Sequence, residues 1–444
     1  MSENNSMPGP DAKGQELYDL ITELYPIHRS MTGHGFRETL RHIQKRIPLT
    51  VHEVPTGTHV FDWTVPKEWN IEDAYVKNSK GERVIDLRQS NLHVVGYSIP
   101  VRGKRTLKEL KPHLFSLPDR PDWVPYRTSY FQDSWGFCLA HNRLSALQED
   151  EYDICIDSRL EDGSLTYGEY YVQGGSDEEV LVSCHACHPS LCNDNLSGIA
   201  VAVLLAQHLS AMPRRHSYRF LFIPTTIGSI TWLALNEDKV SRIKNGLVLS
   251  CLGDSGPSTY KRSRQGDAEI DRAAAHVLKQ MNGPYNVLDF VPYGYDERQF
   301  CSPGFNLPVG CFMRTPNGRY PEYHTSADDL DFVKAGPLAD SFEKCVRMFD
   351  ILEHNRVYVN LNPKCEPQLG RRGIYQGWSS RGLPELDLAL LWVLNLSDGR
   401  HSLLDIAERA HAPFALIKTA ADLLQSSSLV EESREAGRHE KARR

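Results

Sequence analysis

Residues 180 to 184 (Val-Leu-Val-Ser-Cys) form a short, almost continuous apolar run, and Ile199 to Leu209 are apolar nearly all round a helical wheel. A strand buried on both faces that feeds a buried helix belongs to a parallel sheet covered on both sides. This stretch therefore commits the chain to an α/β architecture. The connecting loop, Cys184-His185-Ala186-Cys187-His188-Pro189-Ser190-Leu191-Cys192-Asn193-Asp194-Asn195-Leu196-Ser197-Gly198, leaves the strand at its carboxyl end, where open α/β sheets place their ligands. It carries His185 and Asp194, an imidazole and a carboxylate that together make half of a metal site.

The loop also admits simpler readings. Cys-x-x-Cys-His also matches the haem-attachment pattern of c-type cytochromes, but there is one copy and it grows out of a core strand. A structural zinc knuckle built on Cys184, Cys187 and Cys192 has no clear second half. A plain strand-end histidine stays open for His185, although Asp194-Asn-Leu-Ser-Gly close behind it argues for chemistry.

At 444 residues the chain is long enough for two or three domains. A hydrophobic share of 40% with 24% charged residues fits a globular protein, and a net charge of -7 disfavours attraction to nucleic acid or anionic membranes. No apolar run approaches a bilayer-spanning length, and Met-Ser-Glu-Asn-Asn-Ser at the N-terminus has no basic or apolar leader pattern, so a cytoplasmic protein is expected. Cysteines such as Cys155, Cys251, Cys311 and Cys345 sit inside apolar runs and read as reduced core residues.

Alternation of strands and helices over residues 155–360, with two amphipathic helices within 12–50, predicts a three-layer α/β core. Its buried strands are expected at Val180 to Cys184, Tyr218 to Ile223, Gly246 to Cys251 and Leu307 to Phe312. Residues 51–154 switch to short β-branched and aromatic runs cut by Pro and Gly, which predicts a β-rich inserted domain. Residues 361–432 return to short helices, with Ser402 as an N-cap and Pro413 as a first-turn proline, a pattern expected of a winged helix. Polar, charged ends at 1–11 and 433–444 are expected to be disordered tails. In the C-terminal module Arg371, Arg372, Arg381, Arg400, Arg409 and Lys418 face nine acidic side chains. Phosphate neutralisation supplies most affinity for DNA, so contact with protein is the expected role, and a homo-oligomer through this module or the insert stays open.

A second constellation, Tyr320-Pro-Glu-Tyr323-His324-Thr-Ser-Ala-Asp328-Asp-Leu330, follows the last predicted strand. His324 can complete a metal site. Asp328 either fixes a ligand tautomer through the other ring nitrogen or supplies negative charge to a helix N-terminus.

In the order of His185, Asp194-Asn-Leu-Ser-Gly and Tyr323-His324-Thr-Ser-Ala-Asp, the chain resembles the zinc aminopeptidases of the bacterial leucyl aminopeptidase type. More closely it resembles bacterial aminopeptidase-like proteins labelled polysaccharide-biosynthesis proteins. Those join this core to a β-rich insert and a C-terminal winged helix, and the likeness also runs through Tyr25-Pro-Ile-His-Arg-Ser, Phe61-Asp-Trp-Thr-Val-Pro and Asp296-Glu-Arg-Gln. The resemblance implies zinc bound by His185, Asp194 and His324. In the broader family two glutamates follow the next strand, one a general base and the other a ligand, whereas here Pro224-Thr225-Thr226-Ile227-Gly228-Ser229 occupies that place. A threonine hydroxyl has no basic pKa near neutrality, so another base is required. Glu297 is the preferred candidate, with Arg298 beside it able to hold a carboxylate bidentately, although a solvated charge cluster stays open for this loop. The remaining aspartate of the family's site corresponds to Asp254 or is replaced by Cys251. Loss of the second glutamate implies one zinc rather than two.

The expected function is zinc-dependent hydrolysis of an amide in a small aminoacyl or N-acylated metabolite or short peptide, with Arg298 and Tyr323 binding substrate. Two alternatives remain: an aminopeptidase-like scaffold without activity, and a regulator acting through the winged helix.

Overall fold

The computed structural model describes residues 10–374 and 384–433. Of the expected tails, residues 1–9 and 434–444 lie outside the described residues, and Pro10 already opens a helix, Pro10–Leu24. The chain divides into two compact units, Met1–Asp271 with Gly283–Cys345, and Arg272–Asn282 with Val346–Arg444.

The first unit is organised by an eight-stranded mixed sheet. Its strands, in chain order, are β1 (Thr50–Pro55), β2 (Ser164–Val172), β3 (Glu179–His185), β4 (Ser217–Ile223), β5 (Ile243–Leu249), β6 (Ser258–Lys261), β7 (Tyr285–Leu288) and β8 (Val309–Met313). Their spatial order is β1-β2-β4-β3-β5-β8-β6-β7. The four middle strands β4, β3, β5 and β8 run parallel. Every residue of β3, β4 and β8 is buried, which is why these segments read as continuous apolar runs rather than alternating ones. The helix Ser197–Ser210 follows β3 and is buried over most of its surface, as its all-round apolar pattern requires. The expected strands and the helix at 199–209 are all present, with ends displaced by a few residues.

One ionic cluster is sealed within this sheet. Arg219 of β4 donates from Nε and Nη2 to the Glu179 carboxylate of β3 at 2.7 and 2.9 Å, and from Nη1 to Glu169 of β2. All three side chains are buried. Removing one member of such a cluster leaves uncompensated charge in the interior, so Arg219→Ala should lose about 3–5 kcal/mol of stability. Urea unfolding at constant m-value tests this; a midpoint within error of wild type would show that the cluster is inert.

Between β1 and β2 the chain leaves the sheet to build a four-stranded antiparallel sheet. The order there is Arg83–Asp86, Glu68–Lys77, Glu151–Glu161, Val101–Thr106. The expected insert boundaries of 51 and 154 are corrected at both ends. Thr50–Pro55 pairs with Ser164–Val172 as the edge of the central sheet, and the insert's own central strand continues to Glu161. A β-branched run announces a strand but not its partner, because pairing is decided by long-range contacts. The insert is not an independent unit. Val60 and Val65 pack in one core cluster with Ile227, Ile230 and Trp232, and Trp69 Nε1 donates to the Ser98 carbonyl while its backbone N–H donates to Thr32 Oγ1.

The second unit contains helices Glu385–Leu396, Leu403–Ala410 and Phe414–Ser426 with an antiparallel sheet of Asp398–Ser402, Val357–Asn360 and Val430–Glu432. Ser402 caps its helix as expected, in a reciprocal capping box with Asp405. Pro413 precedes the helix Phe414–Ser426 rather than opening it. The strand Val357–Asn360 moves the start of this module upstream of the expected residue 361. Lys418 is engaged by Asp422 at 2.8 Å, leaving little free positive charge on that helix. Nine of the ten cysteines are buried thiols, and Cys365 is exposed. No helix among the described residues is long and apolar enough to cross a membrane.

Candidate metal centre

His185 is the last residue of β3, and parallel pairing on both sides fixes where its ring emerges. Its Nε2 lies 2.9 Å from Asp194 Oδ1, and both side chains are fully buried. The loop that returns Asp194 to this position is braced through Asn195. The Asn195 amide donates to the Leu249 carbonyl at 2.9 Å and accepts from the backbone N–H groups of Gly198 and Cys251.

Two further imidazoles converge on Asp194. His324 Nε2 is 3.0 Å and His188 Nδ1 is 3.5 Å from Asp194 Oδ2. Ring centroids are 4.8 Å apart for His185 and His188 and 5.1 Å apart for His188 and His324. Ligand atoms of His185, His188 and Asp194 all lie within 4.8 Å of one another. His188 was missed by the sequence reading, although it stands three residues after His185 in the same loop. Its place is fixed by buried Arg29, whose Nε donates to the His188 carbonyl at 2.9 Å. His324 sits at φ 55°, a left-handed conformation that costs a non-glycine residue on the order of 1 kcal/mol, a form of strain that clusters at functional sites. Tyr126 of the insert stands edge-on to both His188 and His324, and its backbone N–H donates to the His324 carbonyl at 2.8 Å.

Electrostatics fit this arrangement. Burial works to raise the Asp194 pKa, but the three histidines outweigh it and hold the carboxyl well below its usual range. Burial lowers the pKa of His324 against the opposing pull of Asp194. Tyr295 adds a hydrogen bond from its hydroxyl to Asp194 Oδ1 at 2.9 Å and stacks on His185 at 4.6 Å.

Asp328 takes neither of its two expected roles. Its carboxylate accepts from the backbone N–H groups of Asn193 and Asp194 at 2.6 and 3.0 Å, so it holds the ligand loop rather than a histidine ring. Asp254, offered as the family's remaining aspartate and as a catalytic candidate, is engaged in bracing loops. Its oxygens accept from the Asn193 amide, the Thr315 hydroxyl and backbone, and Gly256, so the carboxylate is fully used on loop geometry. Cys251 lies nearer the centre, with Sγ 3.3 Å from the Tyr295 hydroxyl.

A cavity of ≈ 490 Å³ opens over this cluster and is lined by His188, His324, Thr225, Thr226, Tyr295, Arg298 and Tyr323 among others. Arg298 and Tyr323, expected to contact substrate, both face it, and Tyr323 stacks on His324 at 4.0 Å. Glu297 does not line it. That side chain is fully buried and paired with Lys261, whose ammonium also donates to the Tyr293 carbonyl at 2.9 Å. The carboxyl beside the Thr225-Thr226 segment belongs to its neighbour Asp296. Asp296 Oδ1 accepts from Ser229 Oγ at 2.7 Å and from Thr225 Oγ1 at 3.2 Å, while Oδ2 is buried with no hydrogen-bond partner among the described residues. Burial, opposed by the Ser229 hydrogen bond, raises the Asp296 pKa to about 7.

Residues 18–355 match the family model described as a domain of unknown function (DUF4910), and residues 356–432 match a winged helix-turn-helix model. A curated Clostridium acetobutylicum protein, provisionally named a polysaccharide biosynthesis protein with aminopeptidase-like domain, is 54% identical over 429 residues, covering 96% of this chain and 98% of its own. A crystal structure from the same organism, provisionally named a peptidase, is 53% identical with a TM-score of 0.92 over 95% of this chain and 97% of its own. More distantly, the zinc aminopeptidase BSAP of Bacillus subtilis superposes with a TM-score of 0.56 at 11% identity, over 76% of this chain and 94% of its own. The peptidase M28 precursor of Shewanella amazonensis does so at 0.55 and 12%, over 78% and 96%. The core thus has the zinc-aminopeptidase fold, and the chain belongs to the DUF4910 family of aminopeptidase-like proteins with a C-terminal winged helix-turn-helix.

Proposed function

We propose that the protein is a zinc-dependent hydrolase that cleaves an amide bond in a small aminoacyl or N-acylated metabolite. The observation that carries this reading is the pose of three orphaned atoms. Asp194 Oδ2, His188 Nδ1 and His324 Nε2 crowd together, all buried, yet none is aligned for a hydrogen bond among the described residues. Lone pairs that face one another without a shared proton are the donor set of a cation, and imidazole with carboxylate suits zinc. Asp194, His185, His188 and His324 are the residues that would hold it. Zinc in this place would supply Lewis acidity to a carbonyl oxygen and a lowered pKa to water.

The chain's own residues supply the proton path. Thr225 lines the cavity and donates its hydroxyl proton toward Asp296 Oδ1. We assign Asp296 as proton acceptor in place of Glu297: an attacking water passes a proton to Thr225 Oγ1 as the threonine's own proton moves to Asp296 Oδ1. The proton then returns to the leaving amine by the same atoms. A carboxylate titrating close to neutrality is suited to accept and return a proton. The cavity volume admits a small molecule rather than a folded polypeptide. The Clostridium relative's name, which places that protein in polysaccharide biosynthesis, supports a metabolite over a protein substrate.

Zinc content and a hydrolysis screen test the reading together. Purified protein should carry about one zinc per chain by elemental analysis, as a site with three or four ligands and one ion requires, and should hydrolyse members of an aminoacyl and N-acyl amide panel. Protein that holds zinc and hydrolyses none of them would favour the scaffold; protein that takes up no transition metal after supplementation would end the proposal.

A further inference from the structure

The cavity wall also carries side chains that the proposed reaction does not use. Trp63, Tyr130 and Tyr293 line it from three separate segments, two of them in the insert, and remain 52%, 61% and 71% exposed. Large rings left in water around one opening mark a recognition surface. The Tyr130 and Phe131 backbones lie at φ 46° and 72°, so the insert loop accepts strain to present them. The Tyr293 loop is pinned from behind by Lys261, itself held by Glu297. Arg298 lines the same cavity; it has no ion-pair partner among the described residues and its Nε is buried and unpartnered.

We propose that these rings and Arg298 bind an acidic sugar in the cavity, so that the substrate is a small N-acylated sugar carrying a carboxylate or phosphate. This deepens the hydrolase reading and rests on it only for the acyl group. A free guanidinium selects an anion and disfavours a cation over the rings. Each exposed ring offers an apolar face with a polar tip, and Asn317 adds an amide to the lining. That combination matches a pyranose, apolar on its faces and hydroxylated round its edge. A purely apolar acyl group would call for a dry, closed pocket, whereas these three platforms are more than half in water.

Calorimetric titration of the full-length, zinc-loaded protein tests this with N-acetylglucosamine, its phosphate monoester, its uronic-acid form and N-acetylphenylalanine. The two charged sugars should bind at least about tenfold more tightly than the neutral one, and the tighter of them names the source of the acidic group. Arg298→Gln should erase that preference, and Tyr293→Ala, at a mostly exposed position, should weaken all sugars by up to about tenfold. Equal binding of charged and neutral sugars, tightest binding of N-acetylphenylalanine, or an Arg298→Gln variant that keeps the preference would each overturn the proposal. Binding is read separately from turnover. Acidic sugars that bind but are not hydrolysed would count against the hydrolase reading alone, and amide hydrolysis without sugar binding would count against this one alone.

Discussion

Asp194→Asn should lower zinc affinity by more than about 100-fold and abolish detectable amide hydrolysis while leaving the fold intact. The magnitude follows from position. Loss of a hydrogen-bonding partner outside a metal's ligand set already costs 10–100-fold in affinity, and Asp194 is where three imidazoles converge. The change from carboxylate to amide keeps the shape, and the Asp328 brace grips the backbone N–H of residue 194, which the substitution does not alter. Competition with a chromophoric chelator measures the affinity and circular dichroism the fold. A folded Asp194→Asn protein with wild-type zinc affinity would show that the cluster is a buried polar network and no metal site.

Asp296→Asn is expected to reduce kcat/KM by about 10²–10⁴, the usual contribution of a positioned acid or base, with zinc content unchanged. Wild-type kcat/KM should rise with pH through about 7 as Asp296 loses its proton, and this limb should vanish in the variant. Stability should move the other way. The folded-state pKa lies above the unfolded carboxylate value of about 4, so the native state holds the proton longer and the group's contribution to stability falls as pH rises from about 4 to about 7. The asparagine variant has no charge to bury and should be at least as stable as wild type at pH 8. A residue with only a structural role would lose stability along with activity. Thr225→Val should reproduce the kinetic loss without the gain in stability. Rates and pH profiles close to wild type in both variants would remove the proton path.

Different parts of this site were legible to different degrees. His185 and Asp194 could be read because one loop carries both, and a buried strand before it with a buried helix after it fixes the loop's place at the carboxyl end of a central strand. His324 followed from a second local pattern. His188 was equally local, but nothing in the spacing says which of two histidines in a turn faces inward. The Thr225-Thr226 pair could be read directly from the chain, while the carboxyl that hydrogen-bonds Thr225 could not. Asp296 and Glu297 are adjacent, and at the start of the short helix Glu297–Phe300 successive side chains point about 100° apart. One therefore meets Thr225 and the other Lys261. For Asp254 the sequence leaves the role open, because an aspartate just past a strand looks the same whether it binds a ligand or satisfies backbone N–H groups.

By itself, the order of apolar and polar residues determined the parallel sheet, the helix that follows β3, the β-rich excursion and the helical C-terminal module. These depend on periodicity and local turn chemistry, which are properties of neighbouring residues. Only the tertiary structure decided that Thr50–Pro55 joins the central sheet, that Trp63, Tyr130 and Phe131 of the insert wall the cavity, and that Asp296 rather than Glu297 hydrogen-bonds Thr225. Such pairings join segments separated by tens to hundreds of residues, and their energies come from burial and contact that no local window of sequence contains.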